Sequence, residues 1–354
     1  MVAPRVYQAL AQPIVGHLDP YFFQIVEDIR TLLKLVFSTS NEFNIAISGT
    51  GSSGMEAAVA NFAAPGEKFA VFSAGFFADR ITEMARRQGA EVVRCEKAWG
   101  EVFDGQEARD FIRREKPRAV AYVQAETSTG AYQNGKAICE AAREVDALVI
   151  ADCVTSLGGM PVLVDETGID IAYSCSQKGL SCPPGLAPIT VSPRALERLS
   201  KREAPVHSWY LDLRLLETFY NGRKYHHTAS ATMFYALREG LALIAEEGLE
   251  NRWQRHRRNH EAFVAGIEAM GMRMHVAEGH RLWTLNTPRV PDGVDDAAVR
   301  KQLLEESGIE IAGGFGPLAG KVFRIGLMGH SSTAENASLI LDKLGAALHA
   351  ASTT

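Results

Sequence analysis

The sequence predicts an α/β fold, a mostly parallel sheet flanked by helices, followed by a smaller α+β region. Three observations lead there. From residue 43 onward, short apolar runs alternate with amphipathic ones. These runs are four to six residues long with little polar alternation, as expected of strands buried on both faces. Beyond residue 247 the pattern changes to α+β. A chain of 354 residues can bury more than one core, and the expected division is a large domain over 1–247 and a small one over 248–354.

The elements follow in order. A first helix is expected to start at Val6-Tyr7-Gln8-Ala9-Leu10. Phe43 to Ile47 reads as a strand, and Met55, Ala58, Val59 and Phe62 after it share one helical face. Phe69 to Phe72 is a second strand, followed by a helix from Phe77 to Gln88 that Gly89 stops. Further strands are Ala119 to Val123, Ala147 to Ala151, Ile171 to Ser174 and Pro188 to Val191. Residues 232–270 read as two long helices broken near Gly248. Strands near 281–287 and 322–327 and helices near 295–306 and 333–350 complete the chain.

Composition narrows the function classes. Hydrophobic residues make up 46% and charged ones 22%, ordinary for a soluble globular enzyme. A net charge of −5 argues against a polyanion surface, and the basic stretch Arg252 to Arg258 reads as a solvated helix face. So no nucleic-acid partner is expected. Neither a membrane-length apolar run nor a signal-peptide pattern occurs. Five cysteines (Cys95, Cys139, Cys153, Cys175, Cys182) form no CxxC pair, and Ser352-Thr353-Thr354 is not a peroxisomal address. A cytoplasmic setting is expected.

Two residues carry the chemistry. Asp152 ends an apolar strand, and Lys178 follows in Ser174-Cys175-Ser176-Gln177-Lys178-Gly179. This pairing suits pyridoxal phosphate (PLP). A lysine amine holds the aldehyde as a Schiff base, and a carboxylate keeps the pyridine nitrogen protonated. Alone the pair is weak, because a lysine after a strand is usually solvated.

The surrounding motifs each have a plainer reading. Gly49-Thr50-Gly51-Ser52-Ser53-Gly54 matches G-x-G-x-x-G, yet the next strand ends Phe72-Ser73-Ala74-Gly75 without the acid a dinucleotide ribose needs. What remains is a glycine turn or a single-phosphate cup at a helix N-terminus. In Gly75-Phe76-Phe77 an aromatic could stack on a planar ligand or belong to the core. Glu126-Thr127-Ser128-Thr129-Gly130 could bond a ring oxygen or cap a turn. Tyr225-His226-His227-Thr228 invites a metal, but adjacent histidines diverge on a helix or strand and no acid or Cys lies at ligand spacing. Arg324, mid-strand in Val322-Phe323-Arg324-Ile325-Gly326-Leu327, needs an anionic partner; a structural carboxylate is the default, and the cofactor motifs favour a substrate carboxylate.

Together these segments resemble the class V, fold-type I PLP-dependent aminotransferases, in the alanine–glyoxylate, serine–glyoxylate and serine–pyruvate group. The resemblance runs nearly end to end. It includes Gly16-His17-Leu18-Asp19-Pro20, Asp152-Cys153-Val154-Thr155-Ser156-Leu157-Gly158-Gly159, Gly168-Ile169-Asp170, Pro183-Pro184-Gly185 and Gly313-Gly314-Phe315-Gly316-Pro317 beside the motifs above.

The resemblance implies that Lys178 is the Schiff-base lysine and that Asp152 pairs with the pyridinium nitrogen. Val154 and Phe77 would sandwich the ring, Phe77 standing where many relatives carry Trp. Thr50, Gly51, Ser52 and Gln177 would hold the phosphate, and Thr127 would sit near the ring oxygen. Tyr225 and Thr228 would reach the neighbouring subunit's phosphate, which implies a homodimer with shared sites. Arg324 would take the substrate α-carboxylate. The implied reaction is ping-pong transamination from alanine or serine to glyoxylate or pyruvate.

Relatives also carry an arm with a Gly-Pro-Gly-Pro type turn that walls the pocket. This chain starts at Met1-Val2-Ala3-Pro4-Arg5, so an open pocket is expected unless a loop such as Gly313 to Gly316 closes it. A cysteine desulfurase would need a Cys late in the chain, and the last is Cys182. A pyridoxamine–pyruvate aminotransferase and a non-catalytic PLP-fold binding module remain as alternatives.

Overall fold

The computed structural model describes residues 1–352; Thr353 and Thr354 of the C-terminal tripeptide lie outside the described residues. Among the described residues the chain forms a seven-stranded sheet, a three-stranded sheet and a two-stranded ribbon. The strands of the large sheet are β1 (Phe43–Ser48), β2 (Lys68–Ser73), β3 (Glu91–Glu96), β4 (Ala119–Val123), β7 (Leu148–Asp152), β8 (Ile171–Tyr173) and β9 (Leu186–Val191). The ribbon pairs β5 (Ala125–Glu126) with β6 (Ala131–Tyr132), and the small sheet joins β10 (Leu285–Asn286), β11 (Ala312–Gly313) and β12 (Phe323–Gly326).

The large sheet has the order β1-β9-β8-β7-β4-β2-β3. Only β9 runs against the others, pairing antiparallel with both β1 and β8. The parallel strands β2, β4, β7 and β8 are apolar and almost wholly buried, because helices cover both faces. Their common direction brings the carboxyl ends of β1, β2, β4, β7 and β8 to one edge, where ligands bind in open α/β sheets.

One buried cluster covers this sheet and runs from Ala3 to Ile244. A second begins at Phe263 and is built from Ile267, Val299, Leu303, Phe323, Ile325, Ile340 and Leu344. Between them lie the helices Ala231–Glu247 and Leu249–Ala269, which meet at Gly248 (φ +80°).

Most expected elements are present within a residue or two of their ends; the helices Gly105–Glu115, Lys136–Glu144, Pro193–Ser200 and Leu213–Tyr220 have no counterpart among them, and four further points differ. The strand β3 went unread because Glu91-Val92-Val93-Arg94-Cys95-Glu96 is a half-exposed edge strand with charged residues at both ends. The helix Pro20–Phe37 was also unread, although Asp19 caps it by accepting from the Tyr21 N–H at 2.8 Å and Pro20 opens it. The strand expected over 281–287 shrinks to β10. Finally, Arg252 is not on a solvated face. It is 5% exposed and donates to the carbonyls of Gly158 (2.6 Å) and Gly179 (2.8 Å) while pairing with Glu247 (2.7 Å). A basic run on a helix says nothing of which residue turns inward, and here the inward one ties that helix to the turn after Lys178.

Candidate active site

At the carboxyl edge of the large sheet lies a cavity of about 150 Å³, lined by Thr50, Gly51, Ser52, Met55, Phe77, Arg80, Ala125, Thr127, Asp152, Val154, Thr155, Gln177 and Lys178. A void of that size accommodates one aromatic ring. Each wall follows from a strand end.

After β1 the chain turns through Gly49 and enters the helix Gly51–Phe62, so the free N–H groups of its first turn face the cavity. Thr50 precedes that helix in extended conformation (φ −92°, ψ −177°). Gly51 is there for space. A Cβ would press on Val154 Cγ2 and Cys175 Cβ, each at 3.2 Å. After β2, Gly75 lets the helix Phe76–Arg87 begin directly against Glu126, since a Cβ at Gly75 would stand 2.3 Å from Glu126 Cγ.

Glu126 then substitutes for the missing cap of that helix. Its Oε2 accepts from the Phe77 N–H (3.2 Å), and its Oε1 accepts from the Ser128 N–H (3.1 Å) and hydroxyl (2.5 Å). Ser128 Oγ in turn accepts from the Phe76 N–H at 3.0 Å. Burial pushes the Glu126 carboxyl up to about 7, against the lowering effect of the Ser128 hydroxyl and N–H. The network ties the start of the helix Phe76–Arg87 to the turn Glu126–Ser128.

Asp152 closes β7 opposite Val123 and Tyr173 in register. Its Oδ1 accepts from the Val154 N–H (2.9 Å) and its Oδ2 from the Tyr173 hydroxyl (2.8 Å). It is 2% exposed, and that burial raises it to about 6 despite these two donors. A buried carboxylate of this kind is strongly stabilised by a cation brought to it. Lys178 is a half-buried residue of the same lining, and among the described residues its amine has no hydrogen bond or ion pair. Gln177 Oε1 and Thr155 Oγ1 are buried and likewise without a partner there.

Arg324 lies on β12 beside the cavity. Its Nε donates to the Gly313 carbonyl (2.7 Å), its Nη1 to the Thr127 carbonyl (3.3 Å), and its Cζ stands 3.9 Å from the centroid of the Phe315 ring. Phe315 also meets the Phe76 ring, centroids 5.2 Å apart. Among the described residues no structural carboxylate takes up Arg324 at salt-bridge distance, and Nη2 stays available.

Tyr225 and Thr228 do not line this cavity. Tyr225 is 60% exposed with its ring 5.5 Å from His17. The two histidines between them differ from expectation too. They lie in neither helix nor strand, and their Nδ1 atoms sit 2.8 Å apart instead of diverging. His227 Nε2 meets Ser48 Oγ at 3.0 Å, and the Trp209 ring stacks on His226 at 4.1 Å.

Several residues of the site have no counterpart among the site residues read from the sequence: Met55, Ala125 and Thr155 of the lining, Arg80, and Tyr173, which is hydrogen-bonded to Asp152. Arg80 stands three residues after Phe77 on one helix face, a spacing that could have marked it. Tyr173 is opposite Asp152 only through strand register, which no local signal reveals.

The model of the family described as "Aminotransferase class-V" matches residues 5–337. The chain belongs to the class-V aminotransferases. It is 41% identical to the (S)-ureidoglycine–glyoxylate transaminase of Bacillus subtilis, over 98% of this chain and 88% of that protein. It is 38% identical to the alanine–glyoxylate aminotransferase of Drosophila melanogaster, over 97% and 89%. Among solved structures it resembles the alanine–glyoxylate aminotransferase of Nostoc sp., with TM-score 0.97 and 47% identity over 98% of this chain and 92% of that one. The pyridoxamine–pyruvate aminotransferase of Mesorhizobium loti follows at TM-score 0.94 and 28% identity, over 99% and 90%.

As a class-V aminotransferase the chain is a PLP-dependent transaminase of fold type I. The residues present fit that cofactor. The cavity is sized for its ring, and its lining holds both a buried acid and a lysine without a partner among the described residues. The first turn of the helix Gly51–Phe62 offers free N–H donors that suit a phosphate. Among the described residues no helix is long and apolar enough to cross a membrane.

Proposed function

We propose that this transaminase moves the amino group of a small amino acid, alanine or serine, to a 2-oxo acid, glyoxylate or pyruvate, in a ping-pong sequence. The observation that carries the reading is one cavity lined by both Lys178 and Asp152, with Arg324 held beside it through Thr127 and unclaimed by any acid among the described residues. PLP, when bound, supplies the electron sink.

The chain's own residues do the rest. Lys178 would hold the cofactor through its amine, and the same amine, when free, would take up the proton that leaves the substrate Cα. Asp152, steadied by Tyr173 and the Val154 N–H, holds positive charge at the ring nitrogen. Phe77 and Val154 clamp the ring, Thr127 meets its oxygen, and Thr50, Gly51, Ser52 and Gln177 take the phosphate. Arg324 grips the α-carboxylate and thereby orients the Cα–H bond.

We also propose a homodimer in which Tyr225 and Thr228 reach the partner's phosphate. Support comes from Tyr225, which is exposed at 60% beside other exposed aromatic residues such as Trp209 at 61%. The domain boundary is proposed near residue 247, between the two buried clusters. Five free cysteines suit a reducing cytoplasm.

A second donor, (S)-ureidoglycine, is favoured by the name of the Bacillus subtilis relative at 41% identity. The pyridoxamine reading has weaker support, at 28% identity. Absorbance of the cofactor-loaded protein, followed as alanine, serine, (S)-ureidoglycine and pyridoxamine are added singly, tests the proposal. Conversion to the pyridoxamine phosphate spectrum by alanine or serine is expected, and conversion by neither overturns that donor assignment.

A further inference from the structure

The phosphate residues named above share a deficiency. Thr50, Gly51, Ser52 and Gln177 are all neutral, whereas a phosphate monoester carries about −1.5 to −2 charges at neutral pH. The N-terminus of the helix Gly51–Phe62 offers only about half a positive charge. Lys178 is committed to the aldehyde. Among the cavity's lining residues one cation is left, Arg80.

Arg80 rises from the first turns of the helix Phe76–Arg87. Its Nη1 donates to Ser52 Oγ at 2.9 Å, and its Cζ lies 5.0 Å from the Phe77 ring centroid and 5.3 Å from that of Phe76. Among the described residues no carboxylate lies within salt-bridge distance of it, although its charge acts on Asp152, and its neighbour Asp79 is taken by Arg94. A half-buried guanidinium normally finds an acid. Here it is instead held by a hydroxyl and two ring faces and aimed along the cavity wall. Any anion that bonds Ser52 Oγ would lie within about 3–5 Å of Arg80, given ordinary hydrogen-bond lengths.

We infer that Arg80 is a further cofactor-binding residue, the cation that neutralises the phosphate at the Ser52 end of the cavity. The inference rests on the functional reading above. The remaining N–H groups of its planar fork suit phosphate oxygens. The same residue braces Phe77, so a merely structural role must be separated from an electrostatic one.

The test is equilibrium binding of PLP and of phosphate-free pyridoxal to cofactor-free protein, followed by absorbance, for wild type and for Arg80→Gln, Arg80→Met and Arg80→Lys. The Met variant keeps the stem's packing if the Gln variant folds poorly. The Gln and Met variants should weaken PLP roughly 10- to 100-fold, the loss of charge-assisted hydrogen bonds, and leave pyridoxal unchanged. Arg80→Lys should recover part of the loss, and the wild-type advantage for PLP should shrink as ionic strength rises. The Gln change should still cost PLP affinity in a Ser52→Ala background.

Equal losses for PLP and pyridoxal would mean that Arg80 only braces the ring wall, and no loss would mean that it does nothing for the cofactor. Disappearance of the effect in the Ser52→Ala background would mean that it acts only through that hydroxyl. Each of these overturns the inference while leaving the transaminase reading standing. Wild type that binds neither compound overturns both.

Discussion

Replacing Asp152 with Asn should make the cofactor-free protein more stable above neutral pH while crippling the cofactor-loaded one. Burial raises the Asp152 carboxyl from 3.8 to about 6, so the folded state holds a proton that the unfolded state has released. Stability from this group is present below the unfolded value and is lost as pH rises toward the folded one. At about 1.4 kcal/mol per unit, the ionised carboxylate costs about 3 kcal/mol at pH 8 in the cofactor-free protein, even with the charge of Arg80 acting to lower its pKa. Asn preserves the shape, can still accept from the Val154 N–H, and faces a Tyr173 hydroxyl able to reverse its role. Urea unfolding of both cofactor-free proteins should therefore show Asn ahead by about 3 kcal/mol at pH 8, the gap closing between pH 6 and pH 4. With cofactor loaded, the Asn variant should keep it but transfer the substrate proton orders of magnitude more slowly in a single turnover, because a neutral amide no longer holds charge at the ring nitrogen. A gap that does not change with pH, or a wild type more stable at pH 8, would refute the electrostatic argument.

Two further changes probe the substrate and the assembly. Arg324→Lys should raise KM for both amino and oxo acids, a loss on the order of 2–4 kcal/mol, with cofactor affinity nearly unchanged; unchanged KM values would make Arg324 structural. Tyr225→Phe should lower PLP affinity, and mixing it with inactive Lys178→Ala protein should restore activity, because a mixed dimer places both lesions in one site and leaves the other complete. No recovery after verified subunit exchange would place Tyr225 in its own subunit's site or outside any site.

The parallel strands were legible because burial on both faces leaves nearly pure apolar runs, as in Leu148-Val149-Ile150-Ala151. The edge strand β3 was not, since exposure lets Glu91, Arg94 and Glu96 interrupt the pattern. In the site, strand-end residues such as Asp152, Thr127 and Lys178 could be placed because each lies just past an apolar run. Arg80, Tyr173 and the inward turn of Arg252 depend on pairings between elements distant in sequence, as does the lack of a salt-bridged acid at Arg324. Local pattern carries no record of those. The two histidines show the same limit from the other side, since a rule drawn from helices and strands misplaces side chains that sit in neither.

The covalent claim about Lys178 can be checked directly. Borohydride reduction of the PLP-loaded protein, followed by digestion and peptide mass analysis, locates the lysine that carried the cofactor. The account predicts a phosphopyridoxyl group on Lys178 within Ser174-Cys175-Ser176-Gln177-Lys178-Gly179 and on no other lysine. A label on another lysine, or none after full loading, would contradict it.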